Sequence, residues 1–220
     1  MSADWTVLGP ALLTGLGQTL WMVSVTLVVS GLLGLGLGIL LHTTRPGGIL
    51  ANRAVFAVLN ALVNVIRPIP FIIFVTVLGP VTISVIGTQL GTGAATFALV
   101  VAATFGISRI VEQNLVAIDP GVIEAARAMG ASPLRIIATL LVPEALGPLI
   151  LGYTFVFVAV VDMSAVAGAI GGGGLGDFAI VYGYQRFDWV VTAVAVVIII
   201  GLVQLAQFTG NRLANRVLRR

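Results

Sequence analysis

The 220-residue chain has no cysteine, no lysine and a single histidine, His42. Without cysteine there are no disulfides, thiolate metal sites or cysteine nucleophiles. Without lysine there is no phosphate-binding loop of the G-x-x-x-x-G-K-[ST] type, so the chain does not hydrolyse ATP by that route. One histidine leaves little material for a metal cluster or a Ser-His dyad, and His42 is expected to be an ordinary residue at a membrane interface. No cofactor or metal is expected. Charge is scarce as well. Only 9% of residues are charged and 59% are hydrophobic, with a mean hydropathy of +1.14. A soluble domain carries about 25% charged residues to cover its surface. Most of this surface must therefore face lipid. A nucleic-acid binder would cluster its basic residues on a soluble fold. Here the eleven arginines sit between apolar runs, so no nucleic-acid partner is expected.

A membrane span needs about 20 apolar residues. Five runs qualify, at about 17–41, 54–79, 92–110, 147–170 and 188–209. The N-terminal "MSADW" carries no basic segment, and no small-residue cleavage site closes the first run. That run is expected to stay as a span. Connections on one side hold Arg45, Arg53, Arg109, Arg127, Arg135, Arg212, Arg216, Arg219 and Arg220, and those on the other hold only Arg186. Positive charge marks the cytoplasmic side, which predicts a cytoplasmic C-terminus and an external N-terminus. The whole chain, 1–220, reads as one all-α polytopic membrane domain in a bilayer. Ser30, Gly34 and Gly38 recur every four residues on the first span, a spacing that lets helix backbones approach closely.

The second run is interrupted by Arg67-Pro68-Ile69-Pro70. Two prolines there must kink or break it. Freed carbonyls at membrane depth are tolerated where neighbours or water satisfy them. Arg67, Pro68 and Pro70 are thus candidates for a hinge or gate on a pathway, against an ordinary kink with Arg67 snorkelling to the headgroups.

The long connection, 110–147, carries two helix starts. Asp119-Pro120 supplies a capping oxygen followed by proline at the first helical position, and Gly130 is the natural stop. Ser132-Pro133 repeats the start signal, predicting a second helix to the vicinity of Pro143. In the first helix Ile118, Val122, Ala125 and Met129 form an apolar stripe, expected to dock on the chain's own bundle. Glu124, Arg127 and Ala128 lie on another face, left for a partner.

This segment, "EAARAMGASP" followed by "LVPEAL", resembles the cytoplasmic EAA loop of ABC-importer permeases. The matching residues are Glu124, Ala125, Ala126, Gly130 and Pro143. "TRPG" after the first span, "RPIPFII" in the second and "GGGGLGD" with "YGYQRF" before the last extend the likeness to the methionine-import subfamily. The resemblance implies a five-span bacterial inner-membrane permease with a coupling helix in this loop. It implies four kinds of contact: a second copy of the chain, two ATP-binding cassette ATPase subunits, an extracytoplasmic substrate-binding lipoprotein, and the bilayer. The implied function is methionine import coupled to the partner's ATP hydrolysis. The alternative within the same architecture is another amino acid or small polar solute.

Two features remain. "GGGGLG" at Gly171–Gly176 follows an apolar helix rather than a strand, so a dinucleotide site lacks its βαβ context. A tight exit from the fourth span near the outer mouth is expected instead. Asp162 lies within the fourth span. An acid there should face the bundle interior or a watery cavity, with Met163 and Ser164 beside it, and Arg67 is one candidate counter-charge. A single intramembrane acid is too little for an intramembrane enzyme, and a purely structural protein has no use for a coupling loop. Trp21, Trp189, Tyr182 and Tyr184 suit interfacial aromatic belts, Trp21 being the deepest.

Overall fold

The computed structural model describes residues 4–218. Arg219 and Arg220, which entered the arginine count, lie outside them. The described residues are helical, without strands. In chain order the α-helices are α1 (Trp5–Thr44), α2 (Arg53–Ile66), α3 (Phe71–Ile86), α4 (Thr92–Val116), α5 (Pro120–Ala128), α6 (Pro133–Ile136), α7 (Val142–Ala167), α8 (Gly174–Phe178) and α9 (Trp189–Leu218). α6 and α7 belong to one continuous helix, Pro133–Gly172. That helix, α1, α4 and α9 are each long and apolar enough to cross a membrane.

The second run divides at Arg67–Pro70 as its prolines require. The chain bends by 117° between α2 and α3, so they supply a fifth span only when the bent pair is counted as one. α1 is longer than its apolar centre. Asp4 caps it by accepting from the Thr6 N–H at 3.0 Å, and it continues to Thr44.

Small residues on α1 seat it against α4. A Cβ built on Gly34 would lie 2.6 Å from the Ile107 Cβ, and one on Gly38 would lie 2.5 Å from the Val111 Cβ and 2.6 Å from the Ser108 carbonyl oxygen. The four-residue spacing thus forms a seam in which only glycine fits at positions 34 and 38. Ser30 continues it, buried, with its hydroxyl donating to the Thr26 carbonyl. The main core lies beyond this seam, where Ile107, Val111 and Leu115 of α4 meet Val156 and Val160 of α7.

His42 is buried near the C-terminal end of α1, and its Nδ1 finds no partner among the described residues. Trp21, Tyr184 and Trp189 are exposed, as lipid or interfacial residues require, whereas Tyr182 is half-buried under the Arg186 guanidinium.

At the other end of α7 the glycine run makes the expected sharp exit. Gly171, Gly173 and Gly174 have φ of +89°, +76° and +89°, a region that side chains disfavour. α1 holds this turn: the Gly174 N–H donates to the Gln18 Oε1 at 2.7 Å and the Leu175 N–H to the Thr19 Oγ1 at 2.8 Å.

Candidate functional site

The connection between α4 and α7 is shorter than its sequence suggested, because α4 runs on to Val116 and the next helix begins at Pro133. Between them α5 forms from local signals. The Asp119 carboxylate accepts from the Gly121 N–H at 2.8 Å, and Pro120 takes the first helical position. At its end the Gly130 N–H donates to the Arg127 carbonyl at 2.9 Å and the Ala131 N–H to the Ala126 carbonyl at 3.1 Å. This pair of bonds is the Schellman closure, and Gly130 takes the φ of +78° it requires. Ser132 then caps α6 through the Arg135 N–H.

The second helix does not stop near Pro143. Residues Ile137–Leu141 widen into a π-helical turn, in which the Val142 N–H reaches the Ile137 carbonyl five residues back. A wider turn accommodates a proline that would clash with a regular one. Pro143 therefore sits exposed in an unbroken helix.

The docking face of α5 is turned by roughly a quarter of the helix from the expected one. Ile123 and Ala126 pack against the main core, together with Ile118. Val122 and Met129 are 45% and 81% exposed, and Ala125 is exposed beside them. Glu124 and Ala128 are also exposed. The stripe identified the apolar residues but not their direction, because a nine-residue helix with apolar side chains on two sides can dock by either. Arg127 turns to its own chain, its Nη2 donating to the Gly48 carbonyl at 3.2 Å. The α1–α2 turn thereby braces the helix. Leu134, 76% exposed, extends the bare apolar surface beyond Gly130.

A second constellation lies where α3, α4 and α7 meet. A cavity of about 540 Å³ opens between α3, α4 and α7. Phe71, Phe74, Ile107, Phe155 and Met163 form apolar walls, and Arg67 and Gln113 bring polar groups to it. Those two residues also line an adjoining cavity of about 420 Å³ with Arg109 and Glu112. Arg109 is held by a salt bridge to Glu112 and by hydrogen bonds to the Asn60 and Asn64 side-chain oxygens. The sequence reading passed over this cluster. Its signal was the pairing of offsets, Arg109 with Glu112 three apart on α4 and Asn60 with Asn64 four apart on α2, each sharing a helix face.

The candidate pathway residues divide. Arg67 ends α2, exposed at the bend, with Pro68 and Pro70 exposed beside it. Met163 reaches the larger cavity. Ser164 does not, being buried on a neighbouring face of α7 with its hydroxyl on the Val161 carbonyl at 2.7 Å. Asp162 is exposed and makes no salt bridge among the described residues, with Arg67 or otherwise. It follows Phe155 by seven residues, two helical turns, and so shares that residue's uncovered face.

Residues 34–219 match the family model described as the binding-protein-dependent transport system inner membrane component. The probable D-methionine transport system permease protein MetI of Vibrio cholerae is 43% identical over 216 residues, covering 98% of this chain and 96% of that one. The methionine import system permease protein MetP of Bacillus subtilis is 42% identical over 181 residues, 82% of each chain. An inward-facing crystal structure of the MetNI methionine ABC transporter contains a chain that superposes with a TM-score of 0.93 at 40% identity, over 99% of both chains.

Proposed function

This chain belongs to the binding-protein-dependent transport system inner membrane component family, and we propose that it is the permease subunit of an ABC importer for methionine. Two copies enclose the pathway, and each receives an ATPase subunit at α5. The structural observation that carries the coupling reading is the bare apolar surface of Val122, Met129 and Leu134. It is held out by a capped helix and a glycine stop, on a connection whose other face is seated in the bundle. Apolar groups presented so firmly outside the core mark an interaction surface. Glu124, Ala125 and Ala128 flank it, while Ala126, Arg127 and Gly130 set its position. ATP hydrolysis belongs to the partner, since this chain has no lysine with which to build a phosphate-binding loop.

Methionine is supported by the relatives at 40–43% identity and by the chemistry of the cavity. Apolar walls suit a thioether side chain, and the polar groups of Arg67 and Gln113 suit a charged end. The bend at Arg67–Pro70 serves as the hinge on that pathway. Asp162 faces the water-filled space between the two copies with Met163 beside it, because a carboxylate against acyl chains costs about 2.5–3.5 kcal/mol on insertion scales. A substrate-binding lipoprotein delivers methionine from outside, where the N-terminus lies, and the C-terminus is cytoplasmic.

The test is uptake of radiolabelled methionine by cells expressing this chain with its ATPase and binding protein. Saturable uptake that excess unlabelled methionine suppresses is expected. Equal suppression by unrelated amino acids, with none by methionine, overturns the substrate. Asp162→Asn is expected to alter uptake and its pH dependence, and identical profiles would remove Asp162 from the pathway. Impermeant thiol labelling in the cysteine-free parent should reach Ser2→Cys and spare Arg220→Cys, and the reverse pattern overturns the topology.

A further inference from the structure

A free amino acid carries two opposite charges, and the cavity between α3, α4 and α7 answers only one of them. Arg67 suits a carboxylate. An ammonium group needs an acid, and no acid lines that cavity among the described residues. The adjoining cavity of about 420 Å³ has one, Glu112. α4 presents Arg109, Glu112, Gln113 and Val116 to this second space, at offsets of three, four and seven residues that share one helix face. Arg67 and Gln113 line both cavities, so the two spaces meet at these residues.

The two arginines differ in what they have left to offer. Arg109 is engaged on both nitrogens of its fork. Its Nη1 donates to the Glu112 Oε2, and its Nη2 donates to the Asn64 Oδ1 and, at 3.3 Å, to the Asn60 Oδ1. Arg67 makes no salt bridge among the described residues, so its guanidinium is open to an anion.

Glu112 is engaged on one side only. It is 7% exposed, and a carboxylate at that depth requires partners. Arg109 takes its Oε2, while its Oε1 has no hydrogen-bond partner among the described residues. The sealed side-chain atoms that lack a partner are the Thr26 Oγ1 and the His42 Nδ1. The Glu112 Oε1 is therefore open to the cavity that Glu112 lines. As a pair Arg109 and Glu112 are neutral, so Arg67 sets a demand for a carboxylate and the Glu112 Oε1 adds a demand for a donor.

We propose that Glu112 is the subsite for the substrate's α-ammonium group. The head group lies at the junction of the two cavities, with its carboxylate on Arg67, its ammonium on the Glu112 Oε1 and Gln113 between them. The side chain lies in the larger cavity against Phe71, Phe74 and Met163. This assignment rests on the reading of the chain as an amino-acid importer, and it gives the permease a selectivity of its own. A carboxylic acid without the amino group leaves a buried acceptor unpaired, and a site built to bond a donor rejects the analogue that lacks it.

Saturation-transfer NMR on the full chain in lipid nanodiscs, with neither binding protein nor ATPase present, reads that selectivity directly. Methionine should bind about tenfold more tightly than 4-(methylthio)butanoate, which lacks only the amino group. Glu112→Gln keeps an oxygen for Arg109 and should abolish the preference while leaving butanoate binding unchanged. Equal weakening of both compounds would mark a merely structural residue and overturn the proposal. Arg67→Gln should weaken both compounds, and unchanged binding by that variant overturns the pairing. Equal affinity of the unaltered chain for the two compounds overturns the ammonium subsite, whatever the variants do, and leaves methionine import standing. Binding of leucine in preference to 4-methylpentanoate, with none of methionine, would uphold the subsite and overturn methionine as the substrate. No signal from either amino acid overturns the subsite.

Discussion

The seam between α1 and α4 and the exposed helix α5 are both apolar, yet one disappears into the bundle and the other stands outside it. The seam is specified by volume. Its glycines sit where even a methyl group collides with the facing helix, so the residues state both that they pack and how closely. α5 is specified by ends. Asp119 and Gly130 fix where it starts and stops, but its apolar residues do not say which side is turned inward. Steric exclusion is directional, and apolarity on a short helix is not.

The largest effect should come from closing the seam. Gly38→Ala places its Cβ against the Val111 side chain and the Ser108 carbonyl, so the helices must part. Overpacking of this kind costs about 1–3 kcal/mol and sometimes more. A marked fall in the thermal stability of the detergent-purified protein is expected. Gly36→Ala on the same helix meets nothing within 4 Å and should be neutral. Equal behaviour of the two variants would break the claim that volume defines the seam.

Next is Gly130→Asp at the end of α5. The position has open space around it, so the free permease should tolerate the side chain at a cost of roughly 1 kcal/mol for its left-handed backbone. Against a docked ATPase the same side chain should obstruct. Normal insertion with loss of methionine uptake and of ATPase co-purification is expected. Normal uptake would refute the role given to this loop.

The smallest effects sharpen the two faces of α5. Val122→Ser lies on the bare side and should reduce uptake severalfold with the thermal midpoint unchanged. Ile123→Ser lies on the packed side and should lower stability by about 1–2 kcal/mol. Reversed outcomes in uptake and thermal denaturation would restore the face that periodicity alone favoured.

Legibility followed the same division. The two caps around α5, the break at Arg67–Pro70 and the glycine exit after α7 were readable because each depends on a residue's own backbone limits. The docking face of α5, the uninterrupted passage through Pro143 and the burial of His42 and Ser164 were not. Each depends on what another helix places nearby. The cluster of Arg109, Glu112, Asn60 and Asn64 was half readable. Its offsets are in the sequence, but that α2 and α4 face one another is not.

By itself the sequence determined a lysine-free, lipid-facing helical chain, the places where its helices begin and break, and its kinship with the importer permeases. Those properties are local or compositional: a proline lacks its N–H, and a glycine accepts positive φ wherever it stands. Only the tertiary structure decided which side of α5 is bare and which side of α7 meets the cavity with Arg67. An apolar side chain gains nearly the same free energy against any apolar neighbour. Its direction is therefore set by the shape of the assembled bundle, and not by its own chemistry.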